Sequence, residues 1–518
     1  MLNRFFLGFF WVCGQVAVAG TTTAFYYTGS PTSFVSQGQT ATLTPADGYI
    51  FSAQVLPWSF SGITIGVNNI PTGYWTIDFA APAGQALAPG TYLNATRWPF
   101  ESPSAPGLSF DGDSRGDNQL SGNFTILDLS IVGGVVISFA ADFVQYDENL
   151  LTAWNYGSIR YNSTVPLHAA VPVIPALDFN GDGKQDVFLY DPIAGTGYAA
   201  SSNGSGGFTY VYSGFTRGFD AIRYGNFNNS GLSDLIAYNS TSATGYVLLG
   251  SGTGTFSSAV SLFLGPGFTK VAMGDQNGDG LTDFIIYRPS DGTSYTAISN
   301  GDGTFHYQYG LVSGGFTHMM VADFNGDGKA DVFYYRSTDG LAYLGISNGS
   351  GGFTFSPVSL SPGYTFVESG DINGDGMADL LFYNPTSGTA AVGLSTGSGF
   401  TFTPYQYSAG FTTVKVFDFN GDGKADVALY NMNNAVGYLG ISNGTSAFTF
   451  SSLFWGPGFS SVDALDLNGD GKIDVVIYNT SNAAAYSGIS TGNPANPFTY
   501  QYSFWGTGKA LATAVAQP

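Results

Sequence analysis

Asp178-Phe179-Asn180-Gly181-Asp182-Gly183-Lys184-Gln185-Asp186 is the stretch that decides the fold, because the chain repeats it. Equivalent stretches start at Asn226, Asp275, Asp323, Asp371, Asp418 and Asp466, at almost equal intervals. Seven copies at a period so nearly constant mark a repeat architecture. An aromatic stands seven residues before the loop in six copies (Phe219, Phe268, Phe316, Tyr364, Phe411, Phe459), with Val171 in the first. A short apolar run such as 269–274 leads into the loop. A second leads out to a tyrosine four residues past the last Asp: Tyr190, Tyr238, Tyr287, Tyr335, Tyr383, Tyr430 and Tyr478. A third run such as 342–346 enters a Ser-Asn-Gly turn, and a fourth such as 352–356 ends in a Gly/Pro corner. Four short strands with their turns fill one such interval. The expected fold is all-β: a seven-bladed β-propeller over residues 171–509, with 510–518 a tail or an extra closing strand. A linear solenoid fits less well, since its repeats are usually much shorter. Radial closure also hides strand edges that a chain rich in Phe, Tyr and Val would otherwise expose.

The loop carries chemistry as well as a turn. Asp at positions 1, 5 and 9, Asn at 3 and Gly at 4 and 6 place hard oxygen donors round a tight bend, as Ca²⁺ requires. Six loops are complete, and their candidate ligands are Asp178, Asn180, Asp182 and Asp186; Asp275, Asn277, Asp279 and Asp283; Asp323, Asn325, Asp327 and Asp331. The later three supply Asp371, Asn373, Asp375 and Asp379; Asp418, Asn420, Asp422 and Asp426; Asp466, Asn468, Asp470 and Asp474. The flanks are β-type and position 12 lacks the bidentate Glu of an EF-hand, which excludes that reading. Metal-free Asn/Asp-Gly hairpins are the plain alternative. A hairpin alone does not call for a third carboxylate at position 9, and three carboxylates together repel without a cation. The second loop keeps one carboxylate (Asn226, Asn228, Ser230, Asp234) and is expected to be empty or weak.

Composition agrees. Of 36 acidic residues only Glu101, Glu148 and Glu368 are Glu, a bias suited to carboxylates in turns. A net charge of −21 excludes nucleic acid as a natural partner. Arg4, the apolar run 5–16 and Ala17-Val18-Ala19 read as a signal peptide over residues 1–19, with no span in the mature chain. The only cysteine, Cys13, leaves with it, so an exported chain, secreted or periplasmic or at the cell surface, has no disulfide. Six calcium ions would bring the mature charge from −22 to about −10.

The repeats resemble FG-GAP/VCBS-type blades, the unit of the integrin α-subunit propeller and of many exported bacterial proteins. The resemblance rests on the D-x-N-G-D-G-x-x-D loop and the strand after it, including "IIYRPSDGT" in the third copy. It implies structural calcium between the first two strands of a blade and carries no catalytic function. Similar calcium propellers occur in fungal lectins and polysaccharide lyases.

Residues 20–166 lack the repeat and read as a β-sandwich domain, with strands at 75–79, 122–126 and 135–139 and a Pro-rich linker at 165–175. "GDSRGDNQLSGNFTI", "FAADFVQYDENL" and "GSIRYNS" resemble a small β-domain at the front of exported bacterial proteins. That resemblance implies Cys at the positions of Asp117 and Asp147. Arg115-Gly116-Asp117 spells an adhesion tripeptide too short to carry weight. Asn94, Asn123 and Asn162 are glycosylation acceptors only in a glycosylating host.

For function, the favoured expectation is a non-enzymatic binding or adhesion module for a carbohydrate or an extracellular protein. A lyase-like polysaccharide-active enzyme and a structural matrix protein are the alternatives. Trp455 and Trp505 end the last two fourth strands and either stack on sugars or, the favoured reading, cap the blade core. His168, His306 and His318 are scattered and form no acid/base constellation. The oligomeric state is not written in the sequence.

Overall fold

The computed structural model describes residues 21–511 apart from 31–32, 57–61, 70–72, 150–152, 166, 168–176, 229 and 231. The expected signal peptide, Val171, His168, most of the linker and residues 512–518 lie outside the described residues. Among the described residues the chain is built of strands, with one 3-10 turn at Pro45–Asp47.

The N-terminal region forms one ten-stranded sheet. Alternate residues point inward along its strands, as with Ile63, Ile65 and Val67 in Gly62–Asn69, and Trp75, Ile77 and Phe79 in Gly73–Ala80. The sheet folds over this apolar face. Phe79 meets Phe124, Phe139 and Phe143 from the other arm, with ring centroids 5.2, 5.4 and 5.8 Å apart. The sandwich expectation is therefore revised: two arms face each other across one core, but they belong to a single sheet. Gly107–Gly112 joins them, pairing antiparallel with Gly73–Ala80 and, over two residues, parallel with Gly90–Arg97.

The propeller has seven four-stranded antiparallel sheets, as the repeat predicts. Each second strand, for example Asp331–Tyr335, is buried along its length, save the last residue in Val187–Asp191 and Asp283–Arg288, because it lies between two neighbouring blades. Phe284 and Ile286 of the third blade pack on the second, while Ile285 and Tyr287 pack on the fourth. Near-continuous apolar runs are what two-faced burial demands.

The repeated tyrosine has a specific task. Its hydroxyl donates at 2.5–2.9 Å to a carbonyl in the corner that leaves the fourth strand, in all seven blades. It also accepts the N–H of the aromatic that opens the next blade, as from Phe219 to Tyr190 at 3.1 Å. One side chain thus satisfies two buried backbone groups and fixes the step between blades.

Of the two readings of 510–518, a tail or a closing strand, Ala510–Leu511 takes the second. Ala510–Leu511 pairs with Val187–Asp191 and completes the first blade, whose second strand would otherwise present an open edge. Lys509 takes the place of the opening aromatic: its N–H donates to Tyr478 Oη at 3.2 Å, and its Nζ meets Asp191 at 2.9 Å. Trp505 Nε1–H donates to Tyr210 Oη across the same seam at 2.7 Å.

Candidate metal loops and the axial charges

Each complete loop is a bend wound round its first aspartate. Gly181 and Gly183 have φ of +77° and +80°, a region that Cβ-bearing residues avoid. This geometry turns three N–H groups inward. Asp178 Oδ1 accepts from Gly181 and Asp182 at 2.6 and 3.3 Å, and Oδ2 accepts from Gly183 at 2.9 Å. Asp275, Asp323, Asp371, Asp418 and Asp466 repeat the pattern. The position-3 amides of Asn180, Asn277, Asn325, Asn373, Asn420 and Asn468 accept the N–H of position 5 at 2.9–3.0 Å. At position 5, Asp182, Asp327, Asp422 and Asp470 pair with the lysine at position 7, at 2.7, 2.9, 2.7 and 3.0 Å. Asp279 and Asp375 have Leu281 and Met377 there and make no such pair.

Position 9 departs from the expectation that a hairpin has no use for its carboxylate. Asp186 is fully buried, and its two oxygens accept from Phe179 N at 2.9 Å and Ser202 N at 2.8 Å. It therefore staples the loop to the end of the third strand. Asp283, Asp331, Asp379, Asp426 and Asp474 do the same. Asp234 keeps both bonds, to Phe227 N and Gly250 N at 2.8 and 2.7 Å, in the loop that has lost its other carboxylates. The staple is a reason for Asp at position 9 that needs no metal.

The loops also form a belt. The N–H of position 8 donates to the carbonyl of position 1 in the preceding loop, as from Ala330 to Asp275 at 2.6 Å. The third-strand serine donates its hydroxyl to the preceding loop's position-2 carbonyl, as from Ser347 to Gln276 at 2.6 Å.

Burial pushes the carboxyls of positions 1 and 9 up, and in the complete loops like charges add to it. Asp178 and Asp275 are raised to about 6, with Asp182 and Asp279 contributing after burial. Asp186 reaches about 7 and Asp283 about 8, each with its two loop partners adding to burial. Asp234 is raised to about 7 by burial, without carboxylate neighbours. Among the described residues no three carboxylate, histidine or cysteine groups converge on one point. The loops bring together positions 1, 3 and 5 in one bend, with position 9 held behind it by its staple. The donor set, carboxylate, amide and carbonyl oxygen, fits a hard cation such as calcium in kind. In the second loop Asn226 is buried with both side-chain polar atoms unpartnered.

A cavity of 770 Å³ lies between the loops of blades four to six and the N-terminal strands, lined by Asp371, Asn373 and Asp375 on one side and Thr125, Asp142 and Tyr156 on the other.

The sequence reading missed a second group of charges. Glu368, Lys415 and Asp463 stand three residues before the loops of blades five, six and seven, on the innermost strands. Lys415 Nζ lies 3.6 Å from Glu368 Oε1. Burial raises Asp463 to about 6, opposed by Lys415. Arg223 holds the same position in blade two and donates to Val271 O at 3.0 Å. The signal was available: this position is charged in four blades, and the other three hold Pro175, Ala272 and Met320.

The other flagged residues are structural in their surroundings. His318 is buried between Thr317 Oγ1 and Thr365 O at 2.9 and 3.2 Å, and burial lowers it to about 4. His306 is exposed. Trp455 and Trp505 are buried, each donating to a tyrosine hydroxyl of the next blade, which matches core capping. No helix among the described residues is long and apolar enough to cross a membrane.

The FG-GAP-like repeat family matches residues 226–286, 275–334, 323–382, 371–429 and 418–477. Comparison with curated proteins gives no match. Among solved structures, the chain is similar to an Agrocybe aegerita lectin specific for non-reducing terminal N-acetylglucosamine, at 18% identity and TM-score 0.50, covering 62% of this chain and 90% of the lectin. It is also similar to a Lactobacillus plantarum protein at 13% identity and TM-score 0.45, covering 62% of this chain and 97% of that one. A periplasmic gluconolactonase of Pseudomonas aeruginosa follows at 12% identity and TM-score 0.43, covering 63% of this chain and 99% of the enzyme. What the lectin shares with the chain, at that identity, is the fold. Residues 226–477 carry FG-GAP-like repeats, built into a seven-bladed β-propeller.

Proposed function

We propose that this is an exported, calcium-stabilised binding protein whose propeller takes carbohydrate on tyrosine pairs at its rim. The observation that carries the reading is a cross-strand pair repeated in three blades: Tyr198 opposite Tyr212, Tyr295 opposite Tyr309, and Tyr486 opposite Tyr502. The rings meet edge to face at 5.5, 5.5 and 5.3 Å. The outer ring of each pair is 59, 56 and 52% exposed. A tyrosine held by its neighbour offers a rigid apolar face for the C–H side of a sugar and a hydroxyl for its polar edge. Three such sites on one rigid ring would bind a multivalent glycan far more tightly than any one of them. The Agrocybe aegerita lectin, which shares the fold, recognises terminal N-acetylglucosamine; a terminal sugar is accordingly the first ligand to try. Calcium in the six complete loops would neutralise the carboxylates and stand in for the disulfides the chain lacks.

A glycan array in millimolar calcium, run beside lyase assays on acidic polysaccharides, tests the proposal. The expected result is binding without turnover, lost at least tenfold in a Tyr212→Ser, Tyr309→Ser, Tyr502→Ser triple variant whose melting temperature is unchanged. Binding untouched by the triple variant sinks the rim site. New unsaturated ends would move the reading to an enzyme, and self-association with no glycan or protein ligand to a matrix protein.

A further inference from the structure

The tripeptide Arg115-Gly116-Asp117 is not displayed for a partner: Asp117 is 7% exposed and faces a second carboxyl, that of Asp147, which is 2% exposed. Asp147 ends the strand Val135–Asp147. The Nε2 amide of Gln145 lies between the two, 2.8 Å from Asp117 Oδ2 and 3.5 Å from Asp147 Oδ1. The two carboxyls are also within side-chain hydrogen-bonding reach of each other.

Counting donors separates their roles. Asp147 Oδ2 accepts from Ser33 Oγ, Phe34 N and Val35 N at 2.7, 2.8 and 3.2 Å, and Oδ1 accepts from Asn155 Nδ2 at 2.5 Å. Such a shell wants a carboxylate. Asp117 has the Gln145 donor on Oδ2, while its Oδ1 is buried without a partner. An ionised Asp117 would leave that oxygen charged and unsatisfied beside a second negative group. A protonated Asp117 becomes a donor, and the neighbouring carboxylate is its acceptor.

We infer that Asp117 and Asp147 share one proton in the folded protein, held on Asp117, and that this proton latches residues 33–35 onto the sheet. The charged surroundings agree. Glu148, next along the chain, adds negative field, and its Oε1 is held by Asn118 N at 2.9 Å. Arg115 is engaged elsewhere, by Val35 O at 2.8 Å and Asp113 Oδ2 at 3.7 Å. Ser33 and Ser36 from the latched segment and Asn155 from Trp154–Ser163 bring no charge. Burial first, then the charge of Asp147, raises Asp117 to about 8. A folded value above the unfolded one means that the latch contributes fully in acid and is lost as the pH rises through about 8. The proton then leaves to solvent, and two buried carboxylates repel. The inference is independent of the glycan reading.

Hydrogen exchange by mass spectrometry on the full chain tests it, reading the peptide that spans residues 33–39 from pH 6 to pH 9, corrected for intrinsic exchange. In the wild-type chain its protection should fall about tenfold between pH 7 and pH 9, as one proton lost at about 8 requires. The segment 331–335, buried in the fourth blade of the propeller, should stay flat. Asp117→Asn supplies an N–H donor at every pH and should abolish the fall; Asp147→Asn, which sets an NH₂ group against its donors, should lower protection throughout. Flat protection in the wild-type chain overturns the inference whichever variant folds. So do identical pH profiles for the wild-type chain and Asp117→Asn, or equal losses in the two variants.

Discussion

Replacing Asp234 by Asn in the second loop separates the two tasks that position 9 could have. Asp234 is fully buried and gives one oxygen to Phe227 N at 2.8 Å and the other to Gly250 N at 2.7 Å. An amide keeps one acceptor and turns an NH₂ group against the second N–H. A buried N–H left without a partner costs about 1–3 kcal/mol, and the new donor is also unpaired, so about 2–4 kcal/mol is expected. Because Asn226 and Ser230 stand where the complete loops have carboxylates, this cost should be the same in chelator and in calcium.

Asp283→Asn is the matched comparison. It loses one of the same two kinds of bond, to Gln276 N at 3.0 Å or Ser299 N at 2.7 Å. It also removes a charge that Asp275 and Asp279 repel. It should therefore cost less than Asp234→Asn in chelator and more in calcium, where a ligand is lost. Urea denaturation of the propeller transition at fixed calcium, and again in chelator, gives both differences from the midpoints provided the slopes agree. An Asp234→Asn cost below about 0.5 kcal/mol, the range of neutral surface changes, would refute the staple. A cost that changes with calcium would refute the expectation that the second loop is empty or weak.

Chelation of the wild-type chain should lower its melting temperature, because a cation bound only by the folded loops adds its binding free energy to stability; an unmoved melting curve together with a metal analysis free of calcium would reduce the loops to turns. Deleting residues 510–518 should open the ring at the first blade, since it removes the partner of Leu189 and Tyr190. The expected outcome is a lower urea midpoint with amide protection lost first in Val187–Asp191; protection lost evenly over all seven blades would show that the closing strand is not the weak point.

The blades were legible because a nearly constant period and a fixed internal order survive any change of side chain between the fixed points. The capping tryptophans followed from ordinary burial preferences. What stayed hidden depends on pairing across distance. Glu368, Lys415 and Asp463 stand one repeat apart in sequence and meet because three innermost strands converge on one axis. The tyrosine pairs arise from strand register, which sets Tyr198 against Tyr212 and Tyr486 against Tyr502 although their separations in sequence differ. A two-residue closing strand has no periodicity to read. The single N-terminal sheet depends on the short parallel pairing at Thr96 and Arg97, which local patterns do not encode.

The second loop explains how a ring built on cation loops can tolerate an eroded one. Its bonds to the neighbouring loops use the main chain: Ser233 N to Asp178 O and Thr282 N to Asn226 O, both at 2.8 Å. Ser299 adds a hydroxyl bond to Phe227 O at 3.1 Å. None of these needs a carboxylate at positions 1 or 5. The loop carboxylate that ties the bend to the third strand, at position 9, is the one retained. Erosion has therefore removed groups that act within the bend, where the cation is expected, and kept the group that ties the bend to the sheet. A complete loop that lost its position-9 aspartate would suffer the opposite loss, keeping cation donors in a bend no longer tied to the third strand. On this argument position 9 should tolerate change least of the four, with or without calcium.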